Sequence, residues 1–305
     1  MSYALKILAL FLFLSLTLSA KDFRVATYNV ENLFDMHFSG SEYNEYIPNA
    51  KSGWNSRMYI KKVENLAKVI LDLDADILAL QEVESKEALE YLNSVLKEKK
   101  YRYIYIQQSN SPVKNALLSR YKILSSKELH VKNNSRAISE VILDIDTHEL
   151  AVYLNHWPSY KHGNASRIAY AKALKKLYER KKEYILLGDF NSPFEIEKEE
   201  WGEAVKKLSS DRKNYNLWFE VPAKKRYSYV FFKEKKALDH IIISKSMFDK
   251  KGIDYKEKSF NIFIKPYLLD KYENPKRWQI SKRGKGKHQG EGFSDHLAIY
   301  GDFTF

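Results

Sequence analysis

Apolar runs of strand length recur along nearly the whole chain, and two stretches between them carry helical spacing instead. "FRVATYNV" (23–30), "ADILALQEV" (75–83), "YRYIYIQ" (101–107), "NALLS" (115–119), "ISEVILDI" (138–145) and "ELAVYLNH" (149–156) read as strands. So do "EYILLGDF" (183–190), "YSYVFF" (227–232), "ALDHIIIS" (237–244) and "HLAIYGDFTF" (296–305). Between Arg57 and Leu71 the apolar positions Val63, Leu66, Ala67, Ile70 and Leu71 follow the spacing of one helix face. Tyr170, Leu174 and Leu177 do the same between Arg167 and Arg180. The runs 138–145 and 149–156 are separated only by "DTH", a hairpin turn that demands antiparallel pairing. Hairpins mixed with strand–helix–strand units predict α/β architecture, with mixed sheets and helices packed outside them. The polar segments 36–56, 107–114, 157–166, 191–226 and 245–294 are too long for plain connections and are expected to serve function.

The first twenty residues stand apart. Lys6 supplies a short positive region, Ile7 to Leu18 is apolar apart from Ser15 and Thr17, and Ser19 and Ala20 are small. This is the pattern of a signal peptide, too short for a comfortable membrane span. The expected division is a leader over 1–20 and one domain over 21–305, secreted or periplasmic and monomeric. The 305 residues, 44% of them hydrophobic, can bury a large core without disulfides, and there is no Cys to form one. Thiol catalysis and thiolate metal sites are thereby excluded. The formal net charge of +12 favours polyanions as partners, with nucleic acid first among them.

Polar residues gather where the apolar runs end. Asn29 and Glu31 lie where the first strand closes, Glu82 near the end of the second, His156 and Asp189 at the ends of two more. Asp239–His240 and Asp295–His296 precede two others. If those two strands run opposite to the first four, all these groups meet at one edge. Each has a plain structural reading as well: Asp189 and Asn191 as turn formers, Glu82 as an ion-pair partner, His156 as a packed imidazole, Asp239 and Asp295 as backbone caps. Asp72, Asp74 and Asp76 read as a solvated helix end. Together the rim residues suit a hard cation, Mg²⁺ or Mn²⁺, beside a His–Asp pair able to move protons near neutral pH. That combination hydrolyses phosphodiesters.

The ordered blocks "TYNVEN" (27–32), "LQEVE" (80–84), "NHWPS" (155–159), "GDFN" (188–191), "LDHIIIS" (238–244) and "SDH" (294–296) resemble the endonuclease/exonuclease/phosphatase superfamily, with its deoxyribonuclease I-like fold. The resemblance implies a four-layer α/β sandwich, two mixed β-sheets flanked by helices, and metal-dependent phosphoester hydrolysis. It implies Glu82 as principal metal ligand with Asn29, Glu31 and Asp295 close to the ion. It implies that Asp189 and Asn191 orient nucleophile and phosphate, that His296 is the base oriented by Asp239, and that His156 stands on the other side of the phosphate. Asp189 competes with His296 for the role of base.

Arg167 opens a helix and can reach a phosphate or pack on an acid; Arg136 is a second phosphate-contact candidate. The segment 271–288 holds seven Lys and Arg against Glu273 alone. Lys282, Arg283, Lys285 and Lys287 are expected on a flexible, glycine-rich arm that tracks a nucleic-acid backbone, with Trp278 stacking on a base. The expected function is an exported, divalent-metal-dependent nuclease with little sequence preference. Two other classes remain: a phosphodiesterase or phosphatase on lipid headgroups or small phosphoesters, and an inactive basic nucleic-acid-binding protein.

Overall fold

The computed structural model describes residues 21–194, 200–231 and 233–305; the leader expected over 1–20 lies outside them. The first sheet has the order β13 (Asp254–Tyr255), β15 (Ile299–Thr304), β1 (Asp22–Leu33), β2 (Ile77–Val83), β4 (Lys114–Ser119), β3 (Tyr103–Ile106), and β14 (Asn261–Ile262) also pairs with β15. The second runs β5 (Lys122–His130), β6 (Ala137–Ile145), β7 (His148–His156), β8 (Tyr184–Asp189), β12 (Asp239–Ser244), β9 (Asn214–Asn216). A ribbon of β10 (Tyr229–Phe231) and β11 (Glu234–Lys236) stands beside them.

Both sheets are mixed for the same reason. The pairs β1–β2 and β7–β8 are parallel, and each is joined across a helix: α1 (Ser56–Leu73) and α3 (Asn164–Tyr178). The remaining pairs are antiparallel, including the expected hairpin of β6 and β7. Alternation along each strand decides which layer a side chain enters. Ile185 and Leu187 of β8 and Ile241 and Ile243 of β12 join the large core between the sheets. Leu186 and Ile242 point the other way, onto Tyr170, Leu174 and Tyr178 of α3 and Leu208 of α4 (Glu203–Ser209). Helices α1 and α2 (Lys86–Val95) cover the first sheet through Leu66, Ile70, Leu89 and Leu92. The result is the four-layer sandwich: helices, sheet, sheet, helices.

Helix α1 starts where the Asn55 side chain accepts a bond from the Met58 amide and stops at Asp74, which is left-handed at φ 47°. Arg120 ties Asp74 and Asp76 together at 2.6 and 2.8 Å, in keeping with the solvated helix end expected there. Strand β5 escapes the hydrophobic pattern because it is an exposed edge strand with a polar sequence, held by its ladder to β6. No helix of the described residues is long and apolar enough to cross a membrane.

Candidate active site

The topology delivers what the strand ends anticipate. Strands β1, β2, β7 and β8 finish at one edge of the sandwich. Strand β12 runs antiparallel to β8 and starts opposite its end, with Asp239 facing Asp189 in the ladder. Strand β15 runs antiparallel to β1, so the "SDH" residues that lead into it arrive at the same edge. In the parallel pair, His156 of β7 lies in register with Asp189 of β8.

Backbone irregularity aims the side chains. The β1–β2 register shifts between Asn29 and Leu33, and the β2–β4 register between Leu80 and Val83. Glu31, Asn32 and Glu82 within these bulges have φ of 50°, 62° and 68°, conformations that cost about 1–3 kcal/mol each and collect at functional sites. The bulge brings the Asn32 amide to Glu82 Oε2 at 3.0 Å. Asn29 Nδ2 bridges Glu82 Oε1 and Asp189 Oδ2, both at 3.2 Å, while its Oδ1 accepts from the Glu31 amide.

Asp189 and Asn191 form one unit. The Asn191 amide donates to Asp189 Oδ1 at 2.8 Å, and Asn191 Nδ2 to Asp189 Oδ2 at 3.1 Å and to the Trp157 carbonyl at 3.0 Å. Asp189 caps the turn and lines the cleft at once. Gly188 before it has φ 132°, and a Cβ there would stand 2.0 Å from the Asn155 carbonyl oxygen. Only glycine lets β7 and β8 approach this closely.

Two imidazoles approach the same oxygen of this carboxylate. His296 Nδ1 lies 2.7 Å from Asp239 Oδ2, and its Nε2 lies 4.0 Å from Asp189 Oδ2. Burial opposes its charged form, but Asp239 at its Nδ1, with Asp189 and Asp295, holds its pKa well above the usual range. His156 Nε2 sits 3.6 Å from Glu82 Oε1 and 3.7 Å from Asp189 Oδ2. Burial, with Arg136 and His296 nearby, holds this imidazole well below its usual pKa, so it is neutral. Burial first, then Asp239 and Glu82, pushes Asp189 up to about 7 against the opposing charge of His296. One cleft of about 480 Å³ is lined by Glu82, His156, Asp189 and His296 with Arg136, Asn191 and Asp295.

The donors fit a hard cation: carboxylates and an amide, no sulfur, and acids crowded enough that one of them titrates near neutrality. Among the described residues no three His, Asp or Glu side chains converge tightly enough to hold an ion alone. Water or substrate oxygens would complete its shell, as Mg²⁺ prefers.

The family model that matches this chain is that of the endonuclease/exonuclease/phosphatase family, over residues 24–304. The chain belongs to that family. Its enzymes are typically metal-dependent phosphodiester hydrolases. Among solved structures, a family protein from Bacteroides thetaiotaomicron is similar at 13% identity with a TM-score of 0.61, over 94% of this chain and 99% of the other. One from Leptotrichia buccalis is similar at 16% and 0.57, over 92% and 98%. D. rerio TDP2 complexed with a single-strand DNA product is similar at 14% and 0.61, over 93% and 99%. Likeness at these identities shows the fold. No curated protein matches.

Set in the family's fold, several expected residues take other places. Glu31 does not face the Glu82 carboxylate with free oxygens. Its Oε1 accepts from Arg277 Nε at 2.9 Å and its Oε2 from the Trp278 amide at 2.9 Å. Burial and Asp295 push it up to about 7 although Arg277 and Lys62 pull it down. Arg167 is buried and donates to the Ser159 carbonyl at 3.1 Å, so it braces the loop after β7 from inside and cannot meet a phosphate in the cleft. Arg136 does border the cleft, with Nη1 on the Trp157 carbonyl at 2.9 Å.

Trp278 is buried, its Nε1 donating to His288 Nδ1 at 2.8 Å among Trp54 and Tyr46; it offers no face to a base. The basic arm is tied back to itself at Ser281 and to Arg277. Lys287 and Gly286 donate back to Ser281, and a Cβ at Gly292 would meet the Arg277 carbonyl oxygen at 1.9 Å. Lys282, in the short helix α5 (Ser281–Gly284), and Lys285 and Lys287 after it are exposed, and none of the three lines the cleft.

Sequence reasoning missed Arg277, Lys62, Tyr160 and Trp201. Lys62 is fully buried beneath the site, its Nζ on the Phe293 carbonyl at 2.7 Å. Its place beside Val63 and Leu66 on the apolar face of α1 was the signal available. Tyr160 and Trp201 come from loops with no periodicity to read.

Proposed function

We propose that this chain is an exported, Mg²⁺-dependent hydrolase that cleaves phosphodiester bonds in nucleic acid with little sequence preference, with Mn²⁺ as substitute metal. The observation that carries the reading is the pair of imidazoles at Asp189 Oδ2: His296, paired to Asp239 and held cationic, and neutral His156. A cation and a neutral imidazole beside one carboxylate suit the charge and proton movements of phosphoryl transfer. In this reading Glu82 would hold the ion, with Asn29 and Asp295 beside it, and a bound ion would supply Lewis-acid charge to a phosphate oxygen. Asp189 at about 7 is matched to take the proton of an attacking water. Asn191 and Asn29 fix that carboxylate, and His296 stabilises charge on the oxygens opposite His156. Nucleic acid is favoured as substrate by the net charge of +12 and by the single-strand DNA product bound to the similar TDP2. Export rests on the leader over 1–20.

Incubating the purified protein with plasmid, single-stranded DNA, RNA and sphingomyelin, each with Mg²⁺ or EDTA, tests the reading. Cleavage of a polynucleotide that EDTA abolishes is expected. Hydrolysis of sphingomyelin with intact polynucleotides transfers the reading to a lipid-headgroup phosphodiesterase.

A further inference from the structure

Tyr160 is 60% exposed, although it is a large aromatic on a short turn directly after the catalytic strand β7. Its ring lies 4.8 Å from that of Trp201 at an interplanar angle of 58°, and both rings line the same cleft as His156 and Asp189. Nothing about this pair is loose. Trp201 Nε1 donates to the Asn191 carbonyl at 2.6 Å, and its own carbonyl accepts from Ser192 Oγ at 2.8 Å. The turn bearing Tyr160 is braced from below by buried Arg167 on the Ser159 carbonyl. Cations flank the rings: Lys161 follows Tyr160 and also lines the cleft, and Lys236 Nζ lies 5.4 Å from the Trp201 ring centroid. An exposed, pre-set aromatic face with positive charge at its edges, hydrogen-bonded through Trp201 to the main chain of Asn191, is the chemistry that holds a base and its phosphate.

We propose that Tyr160 and Trp201 form a nucleobase subsite that stacks one unpaired base next to the scissile phosphate. The proposal rests on the nuclease reading and narrows it: a paired base cannot offer its face to the wall, so single strands and frayed ends are the preferred substrates. Stacking on one aromatic face is sequence-tolerant, consistent with cleavage at any base. The bland alternative is a latch in which the two rings merely hold their loops together.

The test compares kcat/KM for a short single-stranded oligonucleotide with that for the same oligonucleotide carrying an abasic site at each position in turn. The unmodified protein should favour the base-bearing strand by about tenfold or more when the missing base is the stacked one. Tyr160→Ala should erase that preference, and Tyr160→Phe should keep it. A preference equally present in Tyr160→Ala, or absent from the unmodified protein, overturns the subsite and leaves the nuclease reading standing. Hydrolysis of neither strand by the unmodified protein removes the nuclease reading and the subsite with it.

Discussion

At the scale of single residues, the two imidazoles differ in charge because their neighbours differ. His296 has Asp239 on its Nδ1; His156 Nδ1 is buried without a partner, and its Nε2 looks toward Glu82 and Asp189. Both are judged by the same kinetic measurement. His296→Ala and His156→Ala should each lower kcat by on the order of 10²–10⁴-fold. With both acting on one transition state, as proposed, the double variant should lose less than the product of the two. Full multiplicativity would mean that they work independently, and a fully active His156→Ala would make it a packing residue. Replacing the metal-side acid gives a second handle. Glu82→Gln keeps the bond from the Asn32 amide but removes a charge that a hard cation needs, so metal-induced thermal stabilisation should vanish with activity. A variant with undiminished metal response contradicts the assignment of Glu82.

At the scale of elements, the site depends on how closely strands approach and where they bulge. The contact of β7 with β8 at Gly188 is the tightest of these. Gly188→Ala would place a methyl 2.0 Å from the Asn155 carbonyl oxygen, at a φ that side chains rarely adopt. We expect a loss of about 3 kcal/mol or more in urea unfolding, because neither backbone can yield without breaking the ladder. Activity below the unfolding transition should also collapse, since the same ladder carries His156 and Asp189. An unchanged urea midpoint would show that the strands can separate freely. The bulges at Glu31, Asn32 and Glu82 work in the opposite sense, spreading strands so that side chains of adjacent residues turn into one cleft.

At the scale of the whole molecule, charge is distributed unevenly between chemistry and capture. The cleft is acidic at its base, while α5 and the residues after it present Lys282, Lys285 and Lys287 to solvent away from it. If this surface meets nucleic acid, each phosphate contact contributes a slope of about −0.9 on duplex DNA in log K against log salt. Neutralising Lys282, Arg283, Lys285 and Lys287 together should flatten the slope measured by binding in EDTA. An unaltered slope would confine the basic loop to solubility. Because Ser281 pins the loop, the change should leave the fold intact.

Much of this architecture was legible in the chain because it obeys short-range periodicity. Alternating runs and two helical stripes determine strands and helices, and the placing of Asn29, Glu82, His156, Asp189, Asp239 and Asp295 at run ends determines which residues can share an edge. The sequence by itself also excluded thiolate ligands, since it contains no Cys. It left out what depends on partners distant along the chain. Glu31 reads like any other rim acid until Arg277, far along the chain, closes on it. Arg167 and Trp278 look available until packing buries them, and Gly286 and Gly292 look flexible until the backbone of Ser281 and Arg277 fills the space beside them. The Tyr160–Trp201 wall has no local signature at all, because two loops must fold together before a face exists. Periodicity is a property of neighbours along the chain, whereas burial, charge state and aromatic contact arise only when the two sheets have packed.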